Sequence, residues 1–476
     1  MTPDPQRWKA LAVLGVAYLM VVLDISIVNV ALPAIQEDLD FSTSGLQWVV
    51  SGYALTFGGF LLLGGRAGDL LGRRKVFMAG LLLFALFSLL CGLAWSAAAL
   101  VVFRLCQGTA GAILSPSVFS ITLVTFEEGP ERNKALGVLG AIAGSGAAIG
   151  VILGGVLTEY AGWEWIFFVN VPIGLLALIA VPRVVRESRA EDLERHFDVA
   201  GAVTITTSLI LLVYGLTRAP DIGWTNPETI LCFVGWAVLS IATLVIEARS
   251  RSPLVPLTFF RKRTVTGANV IGLLLGTAVF GMFFLLSLYM QQVIGFSALE
   301  TGFGYLAVAL TAVVASGLAQ ALVTKIGVKP ALVIGMLTLA LGLLYFTRIS
   351  VDGSYVNDLL PGFLLIGVGL GFSFVPISIA ALAGIESREA GLASGLINTN
   401  QQIGGAIGLA ILITVSTTRT DNLLAAGVSE PAAFVSGFQL AFWVGAAFAI
   451  IGLVTTLVVL KRDDLRTEPA AEPTGA

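Results

Sequence analysis

The chain has 476 residues, 57% of them hydrophobic and only 12% charged, with 54 glycines and a mean hydropathy of +0.93. No soluble fold can bury that much apolar surface, so the composition specifies an all-α polytopic membrane protein. A net charge of −3 and a pI near 5.4 argue against nucleic-acid binding, and a single histidine, His196 in a polar loop, argues against a His-based metal site or catalytic triad. Cys91, Cys106 and Cys232 fall far apart in apolar runs with no CxxC spacing and read as packing residues.

Apolar runs of helical length occur at 10–33, 46–65, 76–95, 98–122, 136–158, 163–182, 198–216, 228–247, 265–290, 299–323, 331–347, 358–382, 391–416 and 437–460, predicting 14 transmembrane helices. The first is too long for a cleaved signal peptide. With the amino terminus in the cytoplasm, 23 of the 27 Lys and Arg residues fall on the cytoplasmic side. Only Arg218, Arg348 and Arg419 fall on the other side, and Arg104 lies inside a span. That bias predicts a multi-pass protein of the cell (cytoplasmic) membrane with both termini cytoplasmic.

In span 1 the stretch LDISIVNVALP places Asp24 inside an apolar run. An acid at bilayer depth costs roughly 3 kcal/mol on insertion scales and is expected to face a wet interior with a partner. The structural alternative is an aspartate capping a helix break near Pro33. Asn29 nearby, and Gln47, Ser51 and Tyr53 in span 2, are candidates for lining a substrate cavity. The loop GRAGDLLGRRKVF joins spans 2 and 3. Its Arg73, Arg74 and Lys75 anchor the cytoplasmic side, and Asp69 can form a breakable charge pair that latches that face.

Arg104 in span 4 is the only deep basic residue, as Asp24 is the only deep acid. Neither tolerates lipid alone, so both are expected to line one cavity, as a proton-handling pair or as a static tie between spans 1 and 4. A carboxylate that alternates between apolar surroundings and a guanidinium can take a proton on one side and release it on the other. Gln107 shares the Arg104 helix face and is a candidate for holding a water or substrate.

An internal repeat shows at one offset, 255 residues: Gly72 and Gly80 recur as Gly327 and Gly335, and Gly140 and Gly150 as Gly395 and Gly405. Duplicated bundles around a central cavity are the plan of secondary transporters. The expected domains are 1–182, an amino-terminal six-helix bundle; 183–264, a cytoplasmic linker helix and two inserted helices; 265–460, a carboxy-terminal six-helix bundle; and 461–476, a disordered tail. Phe280, Phe284 and Gln291 run along one side of span 9, and Asn398, Gln401 and Gln402 form a polar strip in span 13 with Ser394 and Gly405. Substrate lining and interhelical hydrogen bonding account for the span 13 strip equally well, whereas most aromatic and methionine residues of a membrane helix such as span 9 meet lipid or neighbouring helices and the alternative is substrate lining. GxxxxGK[ST], GxSxG and HExxH are absent, so no ATP-driven step and no enzyme is expected from this chain.

In the loop after span 2, Gly65, Asp69, Gly72, Arg73 and Arg74 match the pattern GxxxDxxGRR/K, and here the chain resembles the major facilitator superfamily. LDISIVNVALP, RLCQG around Arg104, WEWIFFVNVPIG and GLASGLINTNQQIGGAIG are similar to signatures of its fourteen-span drug/proton antiporter branch, the EmrB/QacA type. Gly146, Gly150, Gly154 and Gly155 resemble the branch's antiporter helix-packing motif, with Val151 where that motif has proline; Gln401 stands where many relatives have arginine. The resemblance implies the major facilitator fold, two six-helix bundles plus two inserted helices, acting as a proton-coupled exporter of drugs or other amphipathic toxic molecules by alternating access. Asp24 and Arg104 would couple the proton. The implied partners are a small-molecule substrate, protons and the lipid bilayer, with no cofactor beyond the proton gradient, no metal, no nucleic acid, and a monomeric state. The alternatives are an exporter of a lipid or a self-made antibiotic, and a non-transporting sensor or scaffold.

Overall fold

A computed structural model of the chain describes residues 5–127, 130–189, 199–250, 260–382 and 390–460. Every regular element among them is helical: α1 (Arg7–Asp38), α2 (Thr43–Leu71), α3 (Arg73–Gly92), α4 (Ala97–Thr125), α5 (Pro130–Tyr160), α6 (Trp165–Phe168), α7 (Asn170–Val184), α8 (Val199–Ile222), α9 (Pro227–Arg249), α10 (Arg263–Leu288), α11 (Ala298–Ile326), α12 (Val328–Phe346), α13 (Leu360–Leu382), α14 (Ala390–Ala425) and α15 (Glu430–Val459). Among the described residues 11 helices are long and apolar enough to cross a membrane, with shorter apolar stretches at Ile149–Tyr160 in α5 and Ala200–Leu216 in α8. Helix α1 continues through Pro33 to Asp38, so no helix end lies near Asp24 for it to cap.

In lipid, apolar faces gain little from meeting one another, so close approach at small residues sets which helices pair. Gly146, Gly150 and Gly154 turn one side of α5 toward α1. A Cβ at Gly150 would collide with Ser26 Oγ, and one at Gly154 would come 2.8 Å from the Ile27 carbonyl oxygen. Gly155 meets α11 instead, with Ala298 O at 2.8 Å from such a Cβ. In the amino-terminal part α1 packs on α5 and α7, and α2 and α3 pack on α4; in the carboxy-terminal part α10 packs on α14 and α15, and α11 and α12 on α13. Helices α8 and α9 form a pair whose first member also lies against α2 and α14.

The repeat legible in the glycines has a structural counterpart. Gly72, between α2 and α3, has φ of 111°, and Gly327, between α11 and α12, has φ of 87°; both sit in the left-handed region that a side chain disfavours. Gly80 faces Leu114 on α4 as Gly335 faces Phe372 on α13, and Gly150 faces α1 as Gly405 faces Phe280 on α10. Helices α1 to α5 thus correspond in order to α10 to α14.

The two parts meet through α5 with α11 and α2 with α14. Helices α2 and α14 meet along their middle and toward the basic end, where Gly58 faces Gln402 and Leu63 packs on Leu396, while the largest shared apolar cluster lies at the end that carries Asp38. There one continuous apolar cluster joins Ile27 to Ile35 of α1 with Val279 to Met290 around the end of α10. Toward the opposite, basic end the amino-terminal part keeps its own cluster, built from Ala10 to Val21, Phe77 to Phe84 and Ala110 to Ile121.

The segment after α7 departs from the expected linker helix. Val185 is extended, with φ of −107° and ψ of 120°, and 185–189 carries no helix; 190–198 lies outside the described residues, as does the tail from 461. The first turn of α3 explains the departure, because its N–H groups have no partner within the helix. Arg73 N–H donates to Ser188 O at 3.0 Å, and Arg74 N–H to the Glu187 carboxylate at 3.1 Å. The segment is held extended as the cap of a neighbouring helix.

Candidate functional site

Helices α1, α2, α3, α4 and α7 converge on the Asp24 carboxylate. Its Oδ2 accepts from Arg104 Nη1 at 2.6 Å, and its Oδ1 from Gln107 Nε2 at 2.8 Å and Asn170 Nδ2 at 3.0 Å. Gln107 also accepts from Arg104 Nη1 at 2.7 Å and donates to Ser88 Oγ at 2.6 Å, and Arg104 Nε donates to the Val49 carbonyl at 2.9 Å. The guanidinium lies over the Tyr53 ring, 4.3 Å from its centroid, and within 5.6 Å of the Phe167 centroid. Asp24, Gln107, Ser88 and Asn170 have no exposed surface and Arg104 has 1%. The charges are therefore removed from lipid and water alike and matched against each other.

Each position follows from local structure. Arg104 and Gln107 are three apart on α4 and so share a face. Ser88 and Cys91 are spaced the same way on α3, and the Cys91 thiol reaches Gln107 Oε1 at 3.6 Å. Asn170 opens α7 directly after the short turn α6, and Gly174 one turn later lets α7 approach Ala85 of α3 and Met20 of α1. Buried ion pairs persist only where the remaining lone pairs and protons are also bonded, and this one has neutral partners on three sides.

The structure brings Asp24 and Arg104 together; Gln107, expected to hold a water or substrate, is instead buried between the two charges, and Ser88 and Asn170 join them. Tyr53, expected along a substrate cavity, is buried beneath the guanidinium, with its ring also stacked on Phe57. Gln47 and Phe284 are likewise closed off from the surface in this conformation. Asn29 donates to Ile25 O of its own helix at 3.1 Å, and Gln291 donates to Val30 O of α1 at 3.2 Å. Asn29, Phe280, Gln291, Asn398, Gln401 and Gln402 keep partial exposure. The polar strip on α14 has a partner that the sequence did not single out: Asn400 Nδ2 donates to Asn269 Oδ1 of α10 at 2.6 Å.

At the loop between α2 and α3, Gly65 lies against Pro116 of α4, and Gly72 provides the left-handed turn. The Asp69 side chain lies outside the described residues. Arg74 instead turns to Glu187, with Nε 3.8 Å from Oε2, and to the Val185 carbonyl at 3.3 Å. Among the described residues no group of His, Cys, Asp and Glu side chains could hold a metal ion.

The sequence model of the Major Facilitator Superfamily matches residues 14–409. The puromycin resistance protein pur8 of Streptomyces alboniger is 39% identical over 100% of this chain and 94% of its own length. The cephamycin export protein CmcT of Amycolatopsis lactamdurans is 37% identical over 97% of this chain and 94% of its own. Among solved structures, an inward-facing, unoccupied bacterial homologue of the human lysosomal transporter Spinster superposes with a TM-score of 0.68 over 98% of this chain and 100% of that one, at 14% sequence identity.

Proposed function

The chain belongs to the major facilitator superfamily, and from that premise we propose that it exports antibiotic-like or other drug-like small molecules across the cytoplasmic membrane in exchange for protons. It is a transporter and not an enzyme. The observation that carries the proton-coupled reading is the ion pair of Asp24 and Arg104, 2.6 Å apart and enclosed by five helices. A static tie between helices needs no ionisable group, since apolar residues of similar volume hold such positions as well or better.

The chemistry runs as a competition for Asp24. When the carboxylate takes a proton, its attraction to Arg104 falls, and Arg104 keeps the Val49 carbonyl, the Gln107 amide oxygen and the Tyr53 ring as partners. When substrate binding favours the charged carboxylate, the pair closes again and the proton leaves. One proton moving down ~100 mV supplies about 2.3 kcal/mol, so each must be tied to a substrate crossing rather than leak.

Alternating access is supported by the packing between the two parts. With the basic end in the cytoplasm and both termini there, the largest apolar cluster shared by the halves lies toward the outside, which supports a state in which substrate enters from the cytoplasm or inner leaflet. Helices α2, α5 and α8 complete fourteen spans of the EmrB/QacA type, with 1–182 and 265–460 as the moving bundles, α8 and α9 in the inserted region 183–264, and a monomer as the working unit. Gly65, Asp69, Gly72, Arg73 and Arg74 form the gate on the cytoplasmic side. Gly146, Gly150, Gly154 and Gly155 let α5 slide against α1 and α11.

The test is drug-driven proton movement in proteoliposomes. Asp24→Asn should insert normally and lose proton-driven transport; full transport by that variant would overturn the assignment. A narrower reading, export of a self-made antibiotic, is compatible with the two relatives named for puromycin resistance and cephamycin export. It requires one compound class to be transported, whereas a multidrug pump is inhibited by several unrelated ones.

A further inference from the structure

Protonating a buried carboxylate does more than cancel a charge. It creates a new O–H donor, and a buried donor without an acceptor is costly. Around Asp24 the acceptors are almost all committed. Gln107 Oε1 takes Arg104 Nη1 and the Cys91 thiol, Val49 O takes Arg104 Nε, and Ser88 Oγ takes Gln107 Nε2. Two buried oxygens in this surround have no hydrogen-bond partner, the Tyr53 hydroxyl and the Asn170 amide oxygen, and only the second belongs to a group that already bonds Asp24, through the nitrogen of the same amide. That nitrogen also lies 3.4 Å from Ser88 Oγ, so an oxygen in its place would reach Asp24 and Ser88 together.

We propose that Asn170 is a positioning residue that holds Asp24 in both protonation states by turning its side-chain amide. With the carboxylate charged, Nδ2 donates to Oδ1. When a proton forms the carboxyl O–H bond, the amide makes half a turn, and its oxygen takes the nitrogen's place, where it accepts that O–H and lies within reach of the Ser88 hydroxyl as a second donor. An amide can serve both states because donor and acceptor exchange places by rotation about one bond. No covalent bond breaks, and Arg104 keeps its other partners throughout. The charged or titratable groups facing Asp24 are Arg104 from α4, Tyr53 from α2 and Cys91 from α3; α7 contributes only the neutral amide. The inference rests on Asp24 being the proton carrier.

Infrared difference spectroscopy of the reconstituted protein between high and low pH separates the two. Wild type should show a carboxylic-acid C=O band on acidification that Asp24→Asn abolishes; persistence of the band in Asp24→Asn overturns the Asp24 reading itself. In Asn170→Leu, and in the smaller Asn170→Ala should leucine not fit, the band should move to higher wavenumber as the O–H loses its acceptor. Proton-driven uptake should fall about tenfold, the scale of one lost buried hydrogen bond, with substrate counterflow retained. Wild-type protein carrying 13C-asparagine gives the same answer without a substitution at 170: an asparagine C=O band should change on acidification and stay fixed in Asp24→Asn. An unmoved carboxyl band in both Asn170 variants, or an unmoved asparagine band in the labelled wild type, overturns the role of Asn170 while leaving that of Asp24 standing.

Discussion

Gln107 bonds both members of the buried ion pair at once, donating to Asp24 Oδ1 at 2.8 Å and accepting from Arg104 Nη1 at 2.7 Å. The amide fixes the relative position of the two charges without adding one. Gln107→Leu keeps the volume and removes four hydrogen bonds, to Asp24, Arg104, Ser88 and Cys91, leaving Arg104 and Asp24 joined only by their direct contact. Hydrogen bonds to charged groups contribute about 1.5–3 kcal/mol each. Proton-driven uptake should therefore fall at least about tenfold while the protein still reaches the membrane, measured as substrate flux in vesicles against an immunoblot of membrane fractions. Unchanged uptake would show that the pair needs no such splint.

Much of this network was legible before any coordinates. An acid and a base in otherwise apolar helices announce each other, and Gln107 follows from helical spacing. Ser88 carries no such signal, and Asn170 lies in the signature stretch WEWIFFVNVPIG without standing out in it, because a neutral polar residue in a membrane helix is inexpensive and usually bonds its own backbone, as Ser117 and Thr122 do here. Glu187 was hidden for the opposite reason: it sits in a stretch rich in both charges, where any acid looks solvated. Helix ends were the least legible. Helix α14 runs to Ala425, past the polar residues Thr417 to Asn422, because a continuing backbone ladder does not require apolar side chains.

Arg104→Lys preserves the charge but not the geometry. The guanidinium serves Asp24, Gln107 and the Val49 carbonyl from a planar fork over the Tyr53 ring, and a lysine ammonium is a compact point charge on a flexible stem. The variant should bind substrate with little change yet show proton-driven transport reduced about tenfold or more, read as a fall in maximal rate at constant half-saturation. Arg104→Gln, which leaves Asp24 without a counter-charge, should be worse. Equal activity of lysine and arginine at this position would mean that charge alone suffices.

Gly150 of α5 and Ser26 of α1 are in closest approach, so any side chain at 150 must displace the serine hydroxyl, which itself donates to Leu23 O at 3.1 Å. Gly150→Ala should lower thermal stability in detergent, on the scale of about 1–3 kcal/mol for overpacking. Ser26→Ala in the same chain removes the colliding oxygen and should recover part of the loss. The recovery will be incomplete, because the Leu23 carbonyl oxygen would still lie 3.1 Å from the new Cβ. A double variant no more stable than Gly150→Ala alone would locate the strain elsewhere on the α1 face.

Glu187 ties the end of the amino-terminal bundle to the start of α3. Its carboxylate accepts from Arg74 N–H at 3.1 Å and from Ser188 N–H at 3.2 Å, at a helix N-terminus where unpaired donors and the helix dipole both favour an anion. Its side chain and that of Arg74 are 24% and 30% exposed, so the ion pair itself is screened by water and the cap carries most of the effect. Glu187→Ala removes the cap bond from Arg74 and the local bond from Ser188, and Glu187→Gln keeps an acceptor but not the charge. Loss of the anchor should free the extended segment, seen as faster trypsin cleavage after Arg186 or Arg189 in inside-out vesicles, with alanine faster than glutamine and glutamine faster than wild type. If the segment also helps the cytoplasmic gate to close, the same order should appear in reverse in the rate of proton-driven transport. Identical cleavage rates in all three proteins would show that the contacts of Arg73 and Arg74 with the backbone of Val185 and Ser188 hold the segment without the carboxylate.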